Sequence, residues 1–137
     1  MKPYYLRDYG HISTETELFG KTYSAPFGIS PIGLQGLIWP RASEILAKAA
    51  FEHNLPYILS TVATASLETI SEITEGNAWF QLYHPTEDRL RDDLLRRAAA
   101  AEYPVLVILS DVPTFGYSAK EIKNGLAIPP RMTWSNI

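Results

Sequence analysis

The chain has 137 residues, enough for one ordinary domain, and 46% of them are hydrophobic, so a core is available. It contains no 18-residue apolar run and no cysteine, which argues against a transmembrane helix and excludes disulfides, thiolate metal sites and cysteine nucleophiles. The net charge is −3, no basic stripe suggests nucleic acid as a partner, and Met1–Asp8 lacks the apolar stretch of a secretory signal, so a cytoplasmic protein is expected.

Residues 1–24 are polar and mixed and read as a lead-in segment, with a β-hairpin around Phe19-Gly20-Lys21. Phe27-Gly28-Ile29-Ser30-Pro31 is the first run suited to a buried strand. Pro31 fits its end but not its centre, because proline has no N–H for the ladder. Residues 32–40, with Gly33 and Gly36, read as a loop, and Pro40 opens a helix where its missing N–H does no harm. Ala42, Ile45, Leu46, Ala49 and Ala50 then fall on one helical face, and Asn54 ends that helix.

Pro56-Tyr57-Ile58-Leu59 is the second strand. A second helix starts near Ser66, with Glu68 in its first turn opposing the dipole, and Gly76 closes it. The third strand, residues 78–83, contains Trp79-Phe80-Gln81-Leu82-Tyr83. Side chains alternate along a strand, so Gln81 and Tyr83 share one face while Phe80 and Leu82 share the other. His84-Pro85-Thr86 is a turn. The third helix begins at Thr86 or Glu87 and presents Leu90, Leu94, Leu95 and Ala98 to the core. Val105-Leu106-Val107-Ile108-Leu109 is apolar throughout, as a parallel strand covered on both faces should be. Residues 110–137 show no periodicity and read as a long loop after strand four.

Strands that start about every 22–30 residues and alternate with helices make a run of βα units on a parallel sheet. No G-x-G-x-x-G follows the first strand, which argues against a dinucleotide-binding domain. Polar residues gather where strands end: Ser30, Ser60 and Thr61, Gln81 and Tyr83, Ser110 and Asp111. In parallel βα folds ligands bind at that rim. The pattern alone leaves a second reading open, since Ser and Thr also cap helices and Asp111 can simply start a turn.

Ser30-Pro31-Ile32-Gly33 with Trp39-Pro40 and Glu44, then Leu59-Ser60-Thr61, Trp79-Phe80-Gln81-Leu82-Tyr83, Asp111-Val112-Pro113 with Gly116, and Ile122-Lys123-Asn124-Gly125 resemble the FMN-dependent 2-hydroxy-acid oxidases and dehydrogenases. The motifs occur in family order over nearly the whole chain. The resemblance implies a TIM (β/α)8 barrel with FMN at its C-terminal mouth, a 2-hydroxy acid as small-molecule substrate, and a homo-oligomer in the intact family. By position, the main chain of Pro31, Ile32 and Gly33 passes beside the flavin. Ser60 and Gln81 hydrogen-bond the flavin, Tyr83 hydrogen-bonds the substrate, and Asp111 orients and charge-stabilises a general-base histidine. Leu109 and Ser118 stand where the family usually has a flavin-contacting threonine and a substrate-side arginine.

A TIM barrel takes about 250 residues. Residues 1–137 therefore represent the N-terminal part of such a domain: a lead-in at 1–24, βα units over 25–109 and the loop at 110–137. The family's flavin-contacting lysine, its histidine with the adjacent arginine, and its phosphate site fall beyond Ile137, and none of His11, His53 and His84 matches that histidine. The expected activity is oxidation of an (S)-2-hydroxy acid to a 2-oxo acid by the intact protein, with this portion alone inactive. The alternative is a non-catalytic half-barrel remnant or assembly partner.

Overall fold

The structure is a computed structural model that describes Gly10 and residues 12–110. Strands β1 (Thr16–Leu18) and β2 (Lys21–Tyr23) pair antiparallel with Leu18 opposite Lys21. Between them Phe19 and Gly20 both have positive φ, 51° and 78°. A type I′ turn needs that geometry, and its twist matches a two-residue hairpin. The Phe19 ring then meets Trp79 edge-on, with centroids 5.2 Å apart. The hairpin at Phe19-Gly20-Lys21 is as the sequence suggests.

Strands β3 (Ile58–Ser60), β4 (Trp79–Leu82) and β5 (Leu106–Ile108) form a parallel sheet in sequential order. The strand anticipated at residues 27–31 is reduced to one parallel bridge between Ile29 and Tyr57. The Ile29 N–H donates to the Pro56 carbonyl at 2.9 Å, and the Ile58 N–H donates to the Ile29 carbonyl at 3.1 Å. Pro31 has no N–H with which to extend this ladder. At the other side of the bridge the backbones close tightly: a Cβ on Gly28 would lie 2.5 Å from the Pro56 carbonyl oxygen. Four parallel positions in chain order are present, the first as a contact rather than a strand.

Helices α1 (Ala42–Glu52), α2 (Leu67–Thr74) and α3 (Asp88–Ala100) pack on one face of the sheet. Leu59 on β3 and Phe80 on β4 are register partners, and Leu82 follows two residues on. All three are buried with Ala47, Ala50, Leu67, Ile70 and Ala98. Burying a side chain such as Phe80 is worth about 1.5–3 kcal/mol, and its ring also meets Tyr103 edge-on at 6.1 Å. Ser66 caps α2 by accepting the Thr69 N–H at 3.1 Å. Glu75 and Gly76, both at positive φ, end it.

Two helix faces differ from the periodicity reading. On α1, Ser43 and Ala47 are fully buried while Ile45 is 52% exposed. Small Ala47 and Ala50 share the core with Leu67 and Ile70 of α2, against which α1 packs. The buried Ser43 hydroxyl is satisfied by the Gln35 amide at 2.8 Å. The helix starts at Ala42 behind Arg41, so Pro40 sits just outside it. On α3, Leu94, Leu95 and Ala98 meet the core, but Leu90 in the first turn is 49% exposed because the helix reaches the core only from Leu94 onward.

Candidate functional site

Alternation along β4 puts Trp79 and Gln81 on the face away from the helices. The two ends of that face are treated differently. At the N-terminal end the Trp79 indole N–H donates to the Tyr23 hydroxyl at 3.1 Å, and Phe19 and Tyr23 both meet its ring edge-on. The hairpin therefore closes that end with aromatic surface. At the C-terminal end the side chains are polar.

Ser60 and Gln81 are register partners, so they stand side by side on this inner face. Both are buried, at 4% and 1% exposure. The Ser60 hydroxyl accepts the Val62 N–H at 3.3 Å. The Gln81 amide nitrogen, Nε2, is buried with no hydrogen-bond partner among the described residues. A buried donor left unmade costs about 1–3 kcal/mol, and native proteins seldom keep one without a ligand, ion or water to satisfy it.

Residues 31–33 run alongside. The Leu34 N–H donates to the Val62 carbonyl at 2.9 Å, which ties this loop to the segment after β3. A Cβ on Gly33 would lie 2.7 Å from Val62 Cγ2 and 4.0 Å from Ser60 Oγ. Glycine there lets the backbone pass close to the Val62 side chain. Pro31 is half-buried, Ile32 is exposed, and both belong to the same passage.

Tyr83 is the first residue past β4 and is half-buried. Its N–H donates to the Thr61 hydroxyl at 3.0 Å. Leu109 follows β5 and continues the ladder, its N–H donating to the Leu82 carbonyl at 3.2 Å. The structure thus brings Gly33, Ser60, Gln81 and Tyr83 to one edge of the sheet. Asp111 and Ser118 lie outside the described residues.

Beneath the loop is a polar cluster that periodicity could not show. Gln35 Nε2 donates to Ser43 Oγ at 2.8 Å and to the Tyr57 hydroxyl at 3.2 Å, all of it buried. Burial pushes the Tyr57 phenol above its ordinary value, against the opposing pull of its hydrogen bonds with Gln35 and Ser43. The only trace in the sequence is a glutamine between two glycine-bounded turns.

Chemically, the rim offers a primary amide with a free N–H, an adjacent hydroxyl and a close-approaching backbone. That set suits the edge of a flat heterocycle carrying alternating carbonyl and N–H groups, as the pyrimidine edge of a flavin does. Among the described residues no three metal-ligating side chains converge, and no helix is long and apolar enough to cross a membrane.

The sequence profile described as FMN-dependent dehydrogenase matches residues 1–137. A 4-hydroxymandelate oxidase of Amycolatopsis orientalis is 34% identical over 134 residues, covering 98% of this chain and 37% of its own. The 2-hydroxyacid oxidase 2 of Homo sapiens is 38% identical over 127 residues, covering 92% of this chain and 36% of its own. The fold is similar to that of a mandelate oxidase crystallised with benzoyl-formic acid, with a TM-score of 0.84 at 34% identity over 92% of this chain and 37% of that one. It is equally similar to a mandelate oxidase variant carrying a C4a-OH-FMN adduct, with a TM-score of 0.84 at 33% identity over 92% of this chain and 38% of that one. The chain spans a little over a third of the length of these curated relatives.

Proposed function

This chain belongs to the FMN-dependent dehydrogenase family, and from that premise we propose that it supplies the isoalloxazine-facing part of a cytoplasmic enzyme that oxidises an (S)-2-hydroxy acid to a 2-oxo acid. In this reading the four parallel positions are the opening βα units of a TIM barrel. The observation that carries the proposal is Gln81 Nε2, buried and without a partner among the described residues, beside Ser60 at the C-terminal edge of the sheet.

FMN, when bound, supplies the acceptor for the two electrons lost as the carbinol carbon becomes a ketone. Gln81 gives its free amide N–H to the flavin edge, and Ser60 adds a hydroxyl. The backbone of Pro31, Ile32 and Gly33 forms a wall that excludes water from one side. The Tyr83 hydroxyl, two residues beyond Gln81, donates to the carboxylate or hydroxyl of the substrate. Asp111 holds and charge-stabilises the histidine that takes the hydroxyl proton, a base that the family resemblance places outside residues 1–137.

Phosphate recognition adds charge-assisted hydrogen bonds, about twice as strong as neutral ones. The residues assigned here touch only the ring, so the 137-residue chain binds FMN and riboflavin alike and weakly. Fluorescence titration with both flavins, followed by anaerobic addition of lactate or glycolate, tests this. Binding of both flavins without bleaching is expected. No flavin binding at all rejects the site. Bleaching by either acid rejects the assignment of the base to residues outside the chain.

The second reading, a non-catalytic half-barrel remnant or assembly partner, shares one observation with the first. Leu106 and Ile108 lie on the helix-side face of β5 yet are 41% and 64% exposed. A half-barrel that pairs with other βα units would cover them.

A further inference from the structure

Thr61 is not part of β3, which ends at Ser60, yet it makes three hydrogen bonds to the end of β4. Its N–H donates to the Gln81 carbonyl at 3.0 Å. Its hydroxyl donates to the same carbonyl at 2.5 Å. The hydroxyl then accepts the Tyr83 N–H at 3.0 Å. One side chain therefore binds both peptide groups that flank Leu82, and those groups carry the backbones of Gln81 and Tyr83.

The regular β3–β4 register ends at Ser60 opposite Gln81. Beyond that pair, the Tyr83 N–H has no strand carbonyl on the β3 side to receive it. Thr61 supplies the acceptor from its side chain, because the chain turns away at Thr61 and Val62. A strand end normally frays where its ladder stops. Here the hydroxyl extends the ladder by one step, to the residue where the polar rim begins. A parallel strand displaced by one residue would exchange the faces of Gln81 and Leu82.

We propose that Thr61 is the positioning residue of this site: its hydroxyl fixes the end of β4 and so sets Gln81 and Tyr83 in place together. The proposal rests on the flavin reading above for its consequence, but its geometry does not depend on that reading. Val62, the next residue, holds the loop of Gly33 by its carbonyl. The Ser60–Val62 segment thus joins three rim segments, and Thr61 is its link to β4.

Thr61→Val keeps the branched shape and removes the hydroxyl. Thr61→Ser keeps the hydroxyl and removes a methyl group. Amide hydrogen exchange on the chain reads the geometry directly. Thr61→Val should speed exchange at Tyr83 at least tenfold while Phe80, inside the ladder, changes less than threefold. Thr61→Ser should leave both within threefold of the parent. Riboflavin titration reads the consequence. Thr61→Val should weaken binding about tenfold, and adding Gln81→Leu to it should cost less than Gln81→Leu costs alone, because coupled residues are non-additive. Equal acceleration at Tyr83 and Phe80 would overturn the proposal, since Thr61 would then be one more stabilising contact. So would additive losses, or a folded Thr61→Ser that loses binding as fully as Thr61→Val. If Thr61→Val does not fold, the Thr61→Ser comparison decides alone, its Tyr83 protection retained or lost. If the parent chain binds no flavin, the flavin reading fails while the exchange result still decides whether Thr61 fixes the strand end.

Discussion

Replacing Gln81 by leucine should move stability and flavin affinity in opposite directions. Gln81 is 1% exposed and its Nε2 is unpaired among the described residues. An unmade buried donor costs about 1–3 kcal/mol. Leucine has nearly the same volume and carries no donor, but its branching fits an amide-shaped space imperfectly, and such swaps typically cost less than about 1.5 kcal/mol. The difference leaves Gln81→Leu more stable than the parent by about 1 kcal/mol, or roughly 3–6 °C in Tm for a chain of this size. In the proposed site the same change removes a hydrogen bond to the flavin edge, worth about 1–2 kcal/mol, and should weaken flavin binding roughly 5–30-fold. Thermal melts without ligand and fluorescence titrations with riboflavin measure the two quantities. A variant that melts several degrees lower and binds flavin as the parent does would refute the reasoning, because the amide would then be a satisfied structural group.

Phe80→Ala should destabilise the chain by about 3–5 kcal/mol, since the ring is 1% exposed and central to the core; denaturant melts giving a loss below about 1 kcal/mol would contradict that placement. The Arg97 guanidinium, donating to both Glu68 carboxylate oxygens at 2.8 Å, holds Glu68 down to about 2. A depressed folded value means the contribution is present above an unfolded value near 4.5 and is lost as pH falls toward 2. The pair is half-exposed, so Glu68→Gln should cost no more than about 1 kcal/mol at pH 7, and less at high salt; a stability gap to the parent that stays constant from pH 7 to pH 2 would rule this out. Ile108→Lys should reduce self-association and binding of an apolar dye by the isolated chain, because Ile108 is 64% exposed on a strand paired on one side only among the described residues. Sedimentation and dye fluorescence unchanged by this substitution would place the sticky surface elsewhere.

What the sequence made legible follows from period and spacing. The alternation in Trp79-Phe80-Gln81-Leu82 separates the core face from the opposite face correctly because a strand's period of two leaves no freedom once one face is buried. The hairpin at Phe19-Gly20 is visible because a positive-φ turn selects glycine. Helix faces were harder. The α1 pattern points to Ile45, but close packing on α2 selects small side chains, and a buried serine beats an isoleucine when a glutamine from the preceding loop satisfies it. The first strand is blurred for a similar reason: five residues of strand character surround one bridge because Gly28 and Pro31 are set by close approach and by a missing donor, not by a ladder. Neither the Gln35–Ser43–Tyr57 cluster nor the Thr61 bonds have any period, since both join residues about 20 apart through side chains.

The division of labour along β4 explains why the candidate site lies at one end of the sheet and not at the other. At Trp79 every polar atom is answered from within the chain: the indole by Tyr23, the ring faces by the hairpin. At Gln81 the answer is incomplete among the described residues, and the side chain is buried with an unpaired donor. Such a donor is tolerable only if the strand carrying it is held firmly enough that relaxing to satisfy the amide would cost more than leaving it open. Four features hold that position: Leu59 beside Phe80 in the core, Ser60 in register opposite, Thr61 across the end, and Leu109 continuing the ladder on the other side. The preorganisation that a cofactor site needs would therefore come, apart from Ser60, from outer-face packing and ladder termination, neither of which touches the proposed ligand. It follows that substitutions at Phe80 or Thr61 should reach the flavin through Gln81, whereas substitutions in the hairpin should change stability and leave flavin affinity per folded molecule as it was.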